Sequence, residues 1–317
     1  MKIIITGGAG FIGSHVADLY IAAGHQVVII DNLSTGSAEN IHSEAKFYRE
    51  DISSPHVAEI FDIEKPDVVN HHAAQMNVRR SIADPLFDAQ VNIIGSLNLI
   101  QNAIRTNVKH FIYISSGGAA YGEPEYLPCD EHHPVNPICP YGVSKHTVEH
   151  YLYLYHQMNH LPYTVFRYPN VYGPRQDPLG EAGVIAIFCG QMLRDEPVYI
   201  NDDGNQERDF VFIDDIASAN LKALHRNQGC GIVNLGSGKG TSVNTLFDHL
   251  KKMTGYSREA IYRPAIKGEV RKIFLNYAKA QFELGWYPRV TLQEGLQRTV
   301  EYHREKMSQS IFEPLKI

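Results

Sequence analysis

At 317 residues, 44% hydrophobic and 20% charged, the chain has the composition of a soluble globular protein long enough for a large core and two lobes. Its formal net charge of −6 argues against a general nucleic-acid or anionic-membrane surface, and no apolar run reaches membrane-spanning length. The four cysteines, Cys129, Cys139, Cys189 and Cys230, lack CxxC spacing and read as free thiols of a reducing compartment. The opening MKIIITGGAG runs from a short apolar strand straight into glycines, without a signal-peptide pattern, so the expected location is the cytoplasm.

In chain order, KIIIT, QVVIID, DVVNH and HFIYIS are continuous apolar runs rich in Ile and Val, the pattern of strands buried on both faces. Helix-like segments at 11–23, 92–106 and 144–158 lie among them, and TVFRYPNVYG resumes the strand pattern. Such alternation predicts an α/β fold, a doubly wound parallel sheet, with a smaller mixed C-terminal lobe. From about residue 171 Pro, Gly and polar residues thicken, although DFVFIDDIASANLKAL and GIVNLGS look like returns to the sheet. The expected division is therefore 1–170, with returns near 209–235, and an interleaved lobe over 171–317.

The first turn, TGGAGFIGSH, places Gly7, Gly10 and Gly13 between a strand and a helix, and the second strand ends at Asp31. Glycine lets the backbone turn sharply and approach a pyrophosphate, whose charge sits at the helix N-terminus. Asp31 can accept hydrogen bonds from a ribose diol and would repel a 2′-phosphate, which favours NAD over NADP. Further on, Tyr141 and Lys145 in YGVSK are spaced to share one helix face. A neighbouring ammonium stabilises a phenolate, so the pair can move a proton on and off an alcohol while a nicotinamide moves the hydride.

These motifs, with DNLSTG (31–36), HHAAQ (71–75), VNIIG (91–95), RYPNVYGPRQ (167–176), RDFVFIDD (208–215) and LGW (284–286), resemble the extended short-chain dehydrogenase/reductase superfamily. Within it the chain is most similar to nucleotide-sugar epimerases of the UDP-glucose 4-epimerase type. The resemblance implies that Gly7, Gly10, Phe11, Ile12 and Gly13 hold the cofactor's diphosphate. Asp31 and Asn32 would hold the adenosine ribose, and Asp51 with Ile52 would frame the adenine. Ala73, Ala74, Gln75, Asn92 and Tyr168 would complete the cofactor site, with Lys145 on the nicotinamide ribose and Tyr141 as the base. Asn170 and Arg208 would hold the diphosphate of a UDP-sugar. The segments 92–106 and 144–158 would form a homodimer interface, as in relatives.

Two departures matter. In SSGGAAYG (115–122) the position where many relatives carry a substrate-binding Ser or Thr is Gly117. The expected hydroxyl is then Ser116, with Ser115 in reserve and capping of the strand end as the bland alternative. Related dehydratases carry an Asp–Glu pair, and related decarboxylases a glutamate, where this chain has Gly118 and Ala119, so neither chemistry is expected. In the C-terminal lobe RPAIKGEVRK has Ile266 in place of a usual arginine. Arg271, ahead of Lys267, is the expected substitute. Ile273 leaves N-acetylated sugars open, and Asp177 beside Arg175 disfavours a substrate carboxylate.

The function implied is interconversion of UDP-glucose and UDP-galactose. Other UDP-sugars, or an NAD-binding sensor without turnover, are the rivals. His146-Thr-Val-Glu-His150 matches the HxxEH zinc signature, but with 16 histidines a chance match is the expected explanation and no metal ligand is assigned. GSGKGTS (236–242) resembles half a phosphate loop, yet reads better as a turn in which Ser242 caps a helix.

Overall fold

The computed structural model describes residues 1–180, 183–226, 228–265 and 270–312. The first half runs β1 (Lys2–Thr6), α1 (Phe11–Ala22), β2 (Gln26–Ile30), β3 (Lys46–Tyr48), α2 (Val57–Glu64), β4 (Val68–His71), α3 (Val78–Ala83), α4 (Pro85–Ala89), α5 (Ser96–Arg105), β5 (His110–Ser116), α6 (Gly117–Ala120), α7 (Pro140–Asn159) and β6 (Tyr163–Tyr168). It continues with β7 (Asn170–Tyr172), α8 (Val184–Leu193), β8 (Tyr199–Asn201), β9 (Glu207–Arg208), β10 (Phe210–Phe212), α9 (Ile213–Ala223), β11 (Gly229–Asn234), β12 (Thr241–Ser242), α10 (Val243–Thr254), β13 (Ile261–Arg263), β14 (Lys272–Ile273), α11 (Ala278–Leu284) and α12 (Leu292–Phe312).

Seven strands form one parallel sheet in the order β11-β6-β5-β4-β1-β2-β3. Its apolar runs are explained by burial on both faces. Ile3 and Ile5 pack with Val16 and Ala17 of α1 and Ile213 of α9, while Ile4 packs with Phe61 of α2, Leu99 of α5 and Val148 of α7. The strand order reverses between β1 and β4. A doubly wound sheet opens a crevice at the carboxyl ends of its strands at such a point. The glycine turn leaves β1 there, and His72-Ala-Ala leaves β4 beside it.

The remaining strands form small sheets: β7 with β10, β8 with β13, and a mixed set β12-β9-β14. Of the two expected returns, GIVNLGS reaches the main sheet as β11, against β6, whereas the DFVF strand does not: it forms β10 in a separate pair with β7, and the α9 that follows it packs on the main sheet's core. Ser242 caps α10, its Oγ accepting the Thr245 N–H at 3.1 Å, which disposes of the half phosphate loop. Two helices differ from the sequence expectation. The helix expected over 92–106 opens as a π-helical turn, Gln90–Gly95, before α5. The helix expected from 144 begins earlier, because Pro140, with its φ fixed and no N–H to satisfy, suits the first helical turn.

Candidate active site

The glycines of the first turn are sterically required. Gly7 has φ +69°, and a Cβ on it would lie 2.6 Å from the Ala73 nitrogen; one on Gly13 would lie 2.2 Å from the Gly7 carbonyl oxygen. They allow the ends of β1 and β4 and the start of α1 to converge, with Gly10 as the helix cap and Phe11 and Ile12 in the first helical turn. Asp31 sits at the rim, nearly buried, accepting from Ala9 N at 3.0 Å and Leu33 N at 2.8 Å. Asn32 donates to Asp51 at 2.7 Å, and Ile52 packs where a Cβ on Gly95 would come within 2.7 Å. The buried His72 Nε2 has no hydrogen-bond partner, and burial drives that imidazole down to about 3, with Lys145 adding to the effect. A cradle lined by glycine, a carboxylate at its rim and an orphaned buried nitrogen fit a dinucleotide.

Asn92, on the π-helical turn, acts as a brace. Its Oδ1 accepts from Gln75 N, and its Nδ2 donates to Gln75 O and, at 3.1 Å, to both Asp88 Oδ1 and Ser144 Oγ. Gln75 in turn donates to Asp88 at 2.8 Å. The chain after β4, where Ala73 and Ala74 lie, is thus tied to the helix that carries Tyr141 and Lys145. Sequence reasoning missed Asp88, which is 1% exposed. Tyr168, assigned to the cofactor side, has its hydroxyl accepting from Asn220 at 2.6 Å; its ring faces His72 at 6.4 Å.

Tyr141 and Lys145 lie on the first turns of α7, as their spacing demands. Gly142 brings α6 against this helix, since a Cβ there would meet the Ala119 carbonyl oxygen at 2.4 Å. The packing brings Ser116, at the end of β5, near enough to the Tyr141 phenol to influence its ionisation. Burial holds the Tyr141 phenol above its ordinary value, and the neighbouring Ser116 hydroxyl opposes that rise. The Lys145 amine is pushed down to about 7 by burial, against the attraction of Asp88 and Glu149, and lies 4.7 Å from the Tyr113 ring centroid.

The two serines of SSGGAAYG divide their duties. Ser116 Oγ accepts the Ala119 N–H at 3.2 Å, so the bland capping role is real and coexists with its influence on Tyr141. Ser115 is spent elsewhere, donating to Glu149 at 2.6 Å. Gly117 is buried, and a Cβ on it would meet Leu275 Cδ1 at 2.3 Å. Tyr121 is structural, donating to Asn234 at 2.8 Å and accepting from Arg167 at 2.9 Å.

On the substrate side the structure brings Asn170 and Arg208 together around Asp209. The Asn170 backbone N–H donates to the Asp209 carbonyl at 2.9 Å, and Arg208 is the neighbouring residue in β9. The Arg208 guanidinium reaches its own strand neighbour's carbonyl, Glu207 O, at 3.0 Å. Arg271 is next door, since Lys272 pairs with Glu207, but its guanidinium is engaged by Asp202 at 2.8 Å and Asp203 at 2.7 Å. Ile266 and Lys267 lie outside the described residues.

The HxxEH match resolves into local contacts. His146 Nδ1 bonds Glu149 at 2.9 Å, and His150 Nε2 meets His146 Nε2 at 3.1 Å. Among the described residues no group of three or more His, Cys, Asp or Glu side chains could hold a metal.

Known proteins share this fold over nearly the whole of the chain. The chain is 40% identical over 311 residues to a UDP-glucose 4-epimerase of Mycolicibacterium smegmatis, covering 96% of this chain and 99% of that one. A crystal structure of Thermotoga maritima UDP-glucose 4-epimerase with UDP-glucose superposes with a TM-score of 0.94 at 48% identity, covering 97% of this chain and 100% of that one. The Thermus thermophilus UDP-glucose 4-epimerase complex with NAD gives 0.92 at 38%, covering 96% and 99%. Residues 3–236 match the family model described as the NAD dependent epimerase/dehydratase family. The chain belongs to the NAD dependent epimerase/dehydratase family.

Proposed function

We propose that the protein interconverts UDP-glucose and UDP-galactose, as an NAD-dependent 4-epimerase. The observation that carries this reading is Tyr141 one helical turn from Lys145 on α7, with the Ser116 hydroxyl acting on the Tyr141 phenol and Gly118 and Ala119 where an eliminating enzyme needs carboxyls. The relatives named above are UDP-glucose 4-epimerases, and their structures hold UDP-glucose or NAD.

Gly7, Gly10, Gly13, Asp31 and Lys145 would hold NAD, which would supply a hydride acceptor and donor that no side chain provides. The chain's own part is proton transfer and orientation. Tyr141 removes the 4-hydroxyl proton and, once the ketosugar has turned its other face to the cofactor, returns a proton to the same oxygen, while Ser116 hydrogen-bonds that oxygen. Lys145, kept between Asp88 and Glu149, provides the positive charge that a phenolate needs; without it, burial alone would leave Tyr141 too weak a base. Asn170, Arg208 and Arg271 would grip the diphosphate; freeing Arg271 for it requires exchange of its aspartate partners for phosphate oxygens. The small side chains of 117–120 leave a ketosugar free to turn over.

Residues 1–170, with returns near 209–235, serve the cofactor and 171–317 the sugar nucleotide. A homodimer would form through the π-helical turn and α7, where Ile94, Val143, Leu154 and Met158 are exposed. Cytoplasmic location accords with four free cysteines.

The test is incubation of purified protein with UDP-galactose and catalytic NAD, and separately with UDP-glucuronate, UDP-xylose and UDP-N-acetylglucosamine, followed by chromatography of products. UDP-glucose formed without net NADH supports the reading; conversion of another sugar alone replaces the substrate. A protein that retains NAD but returns every sugar unchanged is a sensor.

A further inference from the structure

We infer that Leu275 is a positioning residue for the reaction: it fills the space that a side chain at 117 would need and so assigns the sugar-facing hydroxyl to Ser116. The inference rests on the epimerase reading above. A Cβ on Gly117 would lie 2.3 Å from Leu275 Cδ1, 3.0 Å from Cδ2 and 3.2 Å from Cγ, so the whole isopropyl group obstructs it. A leucine tip in open space could swing aside. This one is 1% exposed, in a cluster with Tyr121, Cys129, Val270 and Ile273.

Its backbone is fixed as well. The Leu275 N–H donates to the buried Asp209 carboxylate at 3.0 Å, Cys129 N donates to Phe274 O at 2.9 Å, and Asn276 N donates to Cys129 O at 2.7 Å. Leu275 thus cannot retreat without disturbing Asp209, which joins Asn170 and adjoins Arg208. With position 117 closed, the hydroxyl of SSGGAAYG left to act on the Tyr141 phenol is that of Ser116, since Ser115 is committed to Glu149. Gly117 and Leu275 are therefore one feature of complementary size, in which glycine on the catalytic strand end matches leucine on the sugar lobe.

The experiment compares wild type, Ser116→Ala, Gly117→Ser, Leu275→Ala, Gly117→Ser/Leu275→Ala, and this double variant with Ser116→Ala added. Gly117→Ser should lower the melting temperature by several degrees in wild type and by much less in the Leu275→Ala background, where the hydroxymethyl fits the vacated space. Equal losses in both backgrounds overturn the steric pairing. In turnover of UDP-galactose, Ser116→Ala should cost about 10–100-fold in kcat in wild type, and no more than about threefold in Gly117→Ser/Leu275→Ala, where the hydroxyl introduced at position 117 takes over. The same cost in both backgrounds overturns the assignment of the hydroxyl, even if the melting data uphold the pairing. Should Gly117→Ser fail to fold, Gly117→Ala gives the same melting comparison with one atom. Wild type inactive on every UDP-sugar would sink the epimerase reading instead, and the melting cycle would still decide whether Leu275 closes position 117.

Discussion

Arg167 and Glu149 meet face to face in the interior, Nε to Oε1 at 3.0 Å and Nη2 to Oε2 at 2.5 Å, with neither residue more than 2% exposed. Ser115 and His146 add hydrogen bonds, so that, although burial raises it, the Glu149 carboxyl is held down at about 2. The pair lies directly beneath β5's catalytic end. Removing one partner strands the other charge in a dry site. Glu149→Ala should destabilise the fold by about 3–5 kcal/mol, measured by urea denaturation, with Glu149→Gln costing less. A loss near zero would mean that water reaches Arg167.

Tyr141→Phe removes one oxygen from a site whose cradle is otherwise intact. Epimerisation should fall by about 10²–10⁴-fold while the protein still copurifies with NAD. Retained turnover would transfer the proton to another group, of which Ser116 is the nearest candidate.

Gly7→Ala introduces a side chain at φ +69° and 2.6 Å from the Ala73 nitrogen. The strain falls on the junction of β1 and β4, so NAD retention should drop by at least tenfold, about 1.4 kcal/mol, in equilibrium dialysis. Unchanged affinity would show that the cradle is not where the dinucleotide sits.

Asp209 gives a pH signature. Burial pushes its carboxyl up from 3.8 to about 6, despite hydrogen bonds from Ser237 and Leu275. The native chain therefore binds this proton more tightly than the unfolded chain does. The stability it contributes is complete below about pH 4, falls as pH rises through about 6, and amounts to roughly 3 kcal/mol. Urea midpoints at pH 4, 5, 6 and 7 should show the wild type losing stability relative to Asp209→Asn. Parallel profiles would mean that the hydrogen bonds outweigh burial.

If Leu154 and Met158 are at a subunit interface, Leu154→Lys/Met158→Lys should convert a dimer to a monomer in sedimentation while leaving the buried face of α7 undisturbed. A wild-type monomer would end the proposal.

Much of the site was legible because it is written locally. Gly7, Gly10 and Gly13 mark a backbone shape, and Tyr141 and Lys145 share a face by helical spacing alone. Groups that meet only through the fold were not legible. Ser115 and Glu149 are 34 positions apart, and Arg167 a further 18, with no periodicity to announce a buried ion pair. Glu149 stands in plain view inside the HxxEH match, but nothing in that spacing announces Arg167 as its partner. The choice between Ser116 and Ser115 depended on what each hydroxyl touches. The π-helical turn at 90–95 escaped too, since QVNIIG suits either helix type until Asn92 is needed as a brace.

β11 carries a last consequence. It comes from far along the chain, yet it forms the border of the main sheet, paired among the described residues only with β6, across an irregular register at Gly229 and Gly231. A polypeptide released after residue 170 would leave β6 with a row of unpaired amides and carbonyls, ready to recruit a strand from a neighbouring molecule. The cofactor half cannot finish folding until the sugar half has been synthesised past residue 234, so the two halves ripen together on the ribosome and are poor candidates for expression as separate pieces.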